Sequence, residues 1–231
     1  TLGYTIVDNA TVIATHLNAL LRNNASDLLG HDETREMLDK VAQRSPKLIE
    51  DLVPDKLSVT AIMQVLKNIL FESISIRDIN TILGTLLVES TRTQNPDELT
   101  ELVRPKLGYL MLQEVVDHGE LLNVITLDPN LEQMLISSVN QSAKMGQVVI
   151  EPTLIEGLME SVKKQKFEAE EKGYPAVIVV APTIRAWLAR MIKIRFNDAT
   201  VLSYTEIPED QKIKVFGRIG LASEEPEVAE S

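Results

Sequence analysis

Three histidines, His16, His31 and His118, are the side chains best suited to hold a metal or move a proton near neutral pH, and they stand far apart in the chain. None is followed three or four residues on by a His or Glu on a shared apolar face, the spacing that sets two ligands on one side of a helix. His16 sits among apolar neighbours and reads as a half-buried structural histidine. No metal site and no cofactor are expected. The chain has no cysteine, which removes thiol catalysis, Cys-ligated zinc, iron–sulfur clusters and disulfides, and suits a reducing compartment. Carboxylates are plentiful, but Glu170-Glu171, Glu209-Asp210 and Glu224-Glu225 are adjacent pairs at a helix end, a turn and the tail. They read as solvated surface. The chain lacks a Gly-x-Ser-x-Gly elbow, a Walker A loop and a dinucleotide fingerprint. At Ala181-Pro182 a strand end meets a helix N-terminus, where backbone N–H groups could hold an anion, but no glycine lets a phosphate approach.

The strongest local charge feature is Arg185, Arg190, Lys193 and Arg195, with Trp187 and Phe196 interleaved and no acid between residues 184 and 196. Such a segment could set bases on phosphates and stack aromatics on nucleobases. The competing reading is an amphipathic helix whose Ile184, Leu188, Met191 and Ile192 pack on a sheet while the bases are solvated. Lys193 and Arg195 also suit a helix C-terminus. The charge balance favours the second reading: 23 Lys+Arg against 34 Asp+Glu gives −11 over 231 residues, which opposes a nucleic-acid groove. A further basic set, Lys163, Lys164, Lys166 and Lys172, alternates with Glu156, Glu160, Glu168, Glu170 and Glu171. With Glu160 and Lys164 four apart, it reads as a solvated helix face.

These residues need a scaffold. Residues 2–7 read as a strand ended by Asp8-Asn9, either of which can cap the helix that follows. That helix carries Val12, Ile13, His16, Leu17, Leu20 and Leu21 on one face, and Gly30 marks a stop after Leu28-Leu29. A chain opening at Thr1 in mid-strand reads as part of something longer. From about residue 32 to 118 the pattern is helical. Ser45-Pro46, Ser58, Asp78 and Asn95-Pro96 open successive helices, and Pro105 should interrupt the last. Residues 56–57 and 75–76 could pair as a small ribbon. After His118-Gly119 strands appear at 121–127, 176–181, 200–204 and 212–219. Helices begin at Pro129, Pro152 and Pro182. The helix from Pro152 should bury Leu154, Ile155, Leu158, Met159, Val162 and Phe167. The turn at Pro208-Glu209-Asp210 leads to a half-buried edge strand. The densest apolar run, 176–181, is far shorter than a membrane span.

The expected architecture is α+β with several subdomains. Residues 1–27 would be the end of a truncated N-terminal α/β subdomain. Residues 28–110 form a mainly helical subdomain, and 111–221 a small α/β subdomain with a mixed sheet. Residues 222–231, with four Glu and no base, would be a disordered acidic tail. On these residues alone the chain reads as a binding or assembly module rather than an enzyme, with no catalytic residue to name.

Ordered blocks then carry a resemblance. They are Gly3-Tyr4-Thr5-Ile6-Val7-Asp8-Asn9-Ala10-Thr11-Val12-Ile13-Ala14-Thr15-His16-Leu17, Leu29-Gly30, and the run from Pro46 to Pro54. Further on come Ile76-Arg77-Asp78-Ile79-Asn80-Thr81-Ile82-Leu83, Ile184-Arg185, and the run from Val201 to Pro208. In order and spacing they resemble the export-gate family of type III secretion. The segments at Ala14–Leu17 and Tyr204–Pro208 resemble its flagellar branch more than its virulence branch. Asn9-Ala10 and Pro105 depart from the family's pattern. The resemblance implies the cytoplasmic region of a bacterial inner-membrane protein that forms a nonameric ring with copies of itself. It implies docking of export chaperone–substrate complexes and contact with other parts of the export apparatus. It carries partner binding to Val7, Val12 and Thr15, and implies neither enzymatic activity nor nucleic-acid binding. A soluble α/β enzyme or nucleic-acid protein is the reading of a different class.

Overall fold

The structure, a computed structural model, describes residues 8–117, 119–143, 150–196 and 198–221. The expected strand at 2–7, His118 and the acidic tail lie outside them. The chain divides into two compact units, Thr1–Met111 and Leu112–Ser231.

The first unit is helical. Asp8 accepts from the Thr11 N–H at 2.8 Å and so caps α1 (Asn9–Asn23), with Asn9-Ala10 following. Gly30 does not only stop the short α2 (Ala25–Leu28). It also opens α3 (His31–Ala42), its N–H held by Glu33 Oε2 at 3.0 Å. Pro46 occupies the first position of α4 (Pro46–Leu52), but the Ser45 side chain makes no capping bond. Ser58, Asp78 and Asn95 cap α5 (Val59–Phe71), α6 (Ile79–Glu89) and α7 (Pro96–Val103) through their side-chain oxygens, as expected. Pro105 cannot supply the N–H an α-helix needs. The chain accordingly tightens into a 3-10 turn over Arg104–Leu107 before α8 (Gly108–Leu112). The ribbon expected at 56–57 and 75–76 does not form: both runs lack strand structure, and Leu57 is instead buried as a core residue. Helix α5 packs on α2, α3 and α7, and α6 on α4 and α7. Ile62, Val65, Leu66 and Ile69 of α5, with Ile82, Leu83 and Leu86 of α6, are almost wholly buried. Asn68 ties α5 to α7 through Asp97 and Thr100 at 2.9 and 3.2 Å.

The second unit runs β1 (Leu122–Leu127), α9 (Pro129–Ala143), α10 (Pro152–Glu171), β2 (Val177–Val180), α11 (Pro182–Arg195), β3 (Thr200–Ser203) and β4 (Ile213–Ile219). The strand order is β3-β2-β1-β4 and every pair is parallel, so the expected mixed sheet is corrected. Residues 204–212 do not fold back as a hairpin turn. At about 3.3 Å per residue they are long enough to return the chain to the start of the sheet. Gln211 Nε2 then bonds the carbonyls of Glu120 and Lys212 at 2.8 and 2.9 Å, and the Leu122 N–H bonds the Lys212 carbonyl. The starts of β1 and β4 are thereby pinned side by side. β2 is buried on both faces, as its unbroken β-branched run requires.

β4 is an edge strand, but its first three residues are all exposed rather than alternating. A bulge interrupts the strand just after them. Val124 faces Val215 while Ile125 faces Gly217, leaving Phe216 as the extra residue. Tyr174 meets the Phe216 ring edge-on at 5.5 Å and Lys172 Nζ lies 4.6 Å over it. Gly173 makes this grip available. Its φ of 73° turns the chain at the end of α10, with the Tyr174 N–H returning to the Ala169 carbonyl. Phe167, expected in the core, is 59% exposed. It follows the buried Val162 by five residues, which is too far around the helix to share its face.

Candidate functional site

Helix α1 contains no buried residue. Its apolar residues Ile13, Leu17, Leu20 and Leu21 are each 47–66% exposed. They lie along one broad side of the helix. Val12, 55% exposed, stands at the edge of that side. Thr15 is exposed too and lies about 60° further around the axis, since each residue turns the helix by about 100°. The structure therefore sets Val12 and Thr15 together, open to solvent and directed away from the centre of the Leu17–Leu20 stripe. Val7 lies outside the described residues. His16, expected to be half-buried, is exposed, as is His31. Among the described residues no group of three or more His, Asp or Glu gathers as a metal would require. No described helix is long and apolar enough to cross a membrane.

The anion position expected in the second unit is filled by the protein itself. At the N-terminus of α11 the Ala181 N–H is taken by Glu132 Oε1 at 2.8 Å. A carboxylate of the chain thus occupies the spot a bound anion would take. The same carboxylate accepts from the Tyr204 hydroxyl at 3.2 Å. Burial, then the Glu132 charge and this hydrogen bond, push the Tyr204 hydroxyl above its ordinary pKa. Beside the crevice between β1 and β4, where the strand order reverses and ligands of parallel sheets usually bind, the chain again bonds to itself. Asp128 Oδ1 caps α9 and the Gly220 N–H donates to Ser161 Oγ at 3.1 Å.

The basic helix α11 also departs from its expected surface role. Arg185 is not solvated: its side chain and that of Glu206 are each 1% exposed, with Nε 3.8 Å from Oε1. Glu206 Oε2 accepts from the Ser203 N–H at 2.9 Å. Trp187 and Phe196 are partly buried against the core of the unit. Arg190 and Arg195 are exposed.

On α10 the realised pairs are Lys166 with Glu170 and with Asp198, the latter at 2.8 Å. Burial alone would raise the Asp198 carboxyl. The Lys166 hydrogen bond and charge outweigh it and hold the group below the usual carboxylate range. Burial likewise opposes the Lys166 ammonium, and its two carboxylate partners raise its pKa above the ordinary lysine value. A depressed carboxyl contributes stability above its unfolded pKa and loses it as pH falls through the lowered value. A raised lysine contributes below its unfolded pKa and loses it as pH rises through the raised value. With Asp198 65% exposed, solvent screening limits the pair to about 0.5 kcal/mol. Asp198→Asn should therefore lower the urea midpoint at pH 7, and the difference from wild type should vanish in acid below the Asp198 titration. A difference that persists there would assign the effect to packing.

Around Lys166 a cleft of about 970 Å³ opens between α10 and the end of β4, lined among others by Lys163, Lys164, Phe167, Phe196, Arg218 and Leu221. Neither this cleft nor the contacts of Glu132 could be read from sequence spacing, because the participants are brought together across α10 and β4, or across 49 residues for Glu132 and Ala181.

Comparison with known proteins places this geometry. The FHIPEP family matches residues 1–212. The flagellar biosynthesis protein FlhA of Yersinia enterocolitica is 38% identical over 220 residues, covering 95% of this chain and 31% of that protein. FlhA of Escherichia coli is 36% identical over 218 residues, covering 94% and 31%. The chain thus spans under a third of the length of these curated relatives. Among solved structures, the nonameric EscV cytosolic domain from the type III secretion system superposes with a TM-score of 0.78. It is 29% identical, over 90% of this chain and 61% of that one. The Shigella flexneri MxiA protein superposes with a TM-score of 0.76 at 27% identity, over 86% and 62%. The order of blocks from Gly3 to Pro208, the helical unit and the small α/β unit lead to one assignment: the chain belongs to the FHIPEP family.

Proposed function

We propose that this chain is the docking platform of a flagellar type III protein-export gate. It is a non-enzymatic part on the cytoplasmic side of the bacterial inner membrane that works in a nonameric ring and receives export chaperone–substrate complexes. Family membership supports the gate reading, and the nonameric assembly named for EscV supports the ring. The identity to FlhA proteins, 30–38% against 27–29% for MxiA and EscV, favours the flagellar branch. The observation that carries the docking reading is that Val12 and Thr15 open together to one side of α1, away from the centre of its apolar stripe. An apolar side chain beside a hydroxyl on an exposed helix makes a shallow seat for an amphipathic partner helix. Val7, next to the capping Asp8, belongs to the same proposed seat. The self-occupied anion position at Ala181 and the core packing of Trp187 speak against the enzyme and nucleic-acid alternatives.

The test is Thr15→Asp in the full-length protein. A carboxylate pressed into a partner's apolar face should weaken capture of a chaperone–substrate complex by about tenfold or more, read by calorimetry. The melting temperature should hardly move, because an exposed helix position tolerates such a change within about 0.5 kcal/mol. Unchanged affinity would overturn the role of Thr15.

A further inference from the structure

Strand β4 forms one side of the four-stranded sheet, and among the described residues no strand lies beyond it. The phase of its ladder shows which backbone groups that leaves open. The Leu122 N–H bonds the Lys212 carbonyl, and Leu122 stands opposite Ile213. In a parallel pair this phase turns the N–H and C=O of Lys212 and Lys214 toward β1, and those of Ile213 and Val215 away from it. The bulge at Phe216 comes after both. Residues 212–215 are therefore a regular stretch with an open hydrogen-bonding edge.

The side chains of this stretch sort by face. Ile213 and Val215, 49% and 53% exposed, lie on the side of the sheet that carries Leu122 and Val124. Lys212 and Lys214 belong to the opposite side, since successive residues of a strand alternate. Lys212, Lys214 and, past the bulge, Arg218 are exposed. Residues 211–219 contain no Asp or Glu, on a chain of net charge −11. Acids do stand nearby: Glu209 and Asp210 in the preceding loop, and Glu120, whose carbonyl receives Gln211. Among the described residues none of them forms an ion pair with these three cations.

Lysines and bulges commonly guard a sheet edge against indiscriminate pairing. Here the guard is selective. A second copy paired through 212–215 sets lysine beside lysine, and like charges across a strand pair are unfavourable. An acidic strand meets no such bar, and each carboxylate opposite a lysine adds about 0.2–1 kcal/mol.

We propose that the outer edge of β4 takes up an extended segment of a partner protein in which Asp or Glu alternates with apolar residues. The backbone of the segment bonds the open N–H and C=O groups of Ile213 and Val215. Its apolar side chains cover these two residues, and its carboxylates pair with Lys212 and Lys214. This surface uses neither Val12 nor Thr15, so it stands or falls apart from the docking seat on α1.

The experiment measures fluorescence anisotropy of an end-capped, labelled peptide, Thr-Glu-Val-Glu-Ile-Glu-Val-Thr, with the full-length protein in detergent at low salt. Saturable binding is expected. A peptide of the same composition with its three Glu grouped together should bind at least about tenfold more weakly, because only the alternating order serves both faces. Val215→Pro removes an outward N–H and spares the ladder to β1, and it should weaken binding by about fivefold or more. Lys212→Glu with Lys214→Glu changes only exposed side chains. It should abolish binding of the acidic peptide and confer binding of the counterpart with Lys in place of Glu. No binding, equal binding of the grouped peptide, or indifference to either variant would overturn the proposal. Preferential binding of a peptide copied from residues 211–219 would overturn it too, and would assign the edge to a second copy.

Discussion

Arg185→Ala should destabilise the second unit by roughly 3–5 kcal/mol, the usual cost of leaving one partner of a buried ion pair behind. Both side chains are 1% exposed, so neither can turn to water for compensation. Glu206 would keep the Ser203 N–H as a donor, yet its charge would face a cavity in place of a guanidinium. The sole tryptophan, Trp187, packs on the core of this unit. Its fluorescence in a urea titration therefore reports the loss. The paired replacement Arg185→Met with Glu206→Gln should recover most of it, because no uncompensated charge then remains. A single variant within about 1 kcal/mol of wild type would mean that Arg185 acts by packing alone.

The pair in the first unit should respond asymmetrically. Arg104 is 1% exposed and Glu72 14%, with Nη1 3.0 Å from Oε2. Glu72→Ala strips the carboxylate from a guanidinium with no route to solvent, and should cost about 3 kcal/mol. Arg104→Met keeps the volume and leaves a glutamate near enough to the surface to hydrate. It should cost about 1–2 kcal/mol. The order of the two variants in thermal melts followed by the helical circular-dichroism signal is the decisive reading. A larger loss for Arg104→Met would mean that contacts of the Arg104 guanidinium besides the one with Glu72 hold the 3-10 turn in place.

What could be read from the sequence was local. Asp8, Ser58, Asp78 and Asn95 cap their helices because a cap needs only a side-chain oxygen and an N–H two or three residues on. Pro105 interrupts its helix for an equally local reason. Burial was harder. Arg185 sits in a run of bases whose spacing suggests a solvated face, and nothing nearby announces Glu206, 21 residues later, as its buried partner. The parallel direction of β4 depended on Gln211 meeting the Glu120 carbonyl across the unit. For the candidate site, the apolar stripe of α1 was plain from its periodicity. Val12 and Thr15 came from resemblance to a family to which the chain does belong.

The placement of β4 beside β1 bears on the order in which the molecule can form during synthesis. The bond from Gln211 to Glu120 spans 91 residues, and β1 lies inside the finished sheet with β4 as its outer neighbour. Loops this long close slowly because their entropy is lost before any contact rewards it. The helical unit, with neighbouring segments in contact, can settle while the ribosome is still translating. β1 must wait with one edge open until the last strand has emerged. In that interval it presents unpaired backbone to other nascent chains, and a shortage of folding helpers should be felt by this unit first.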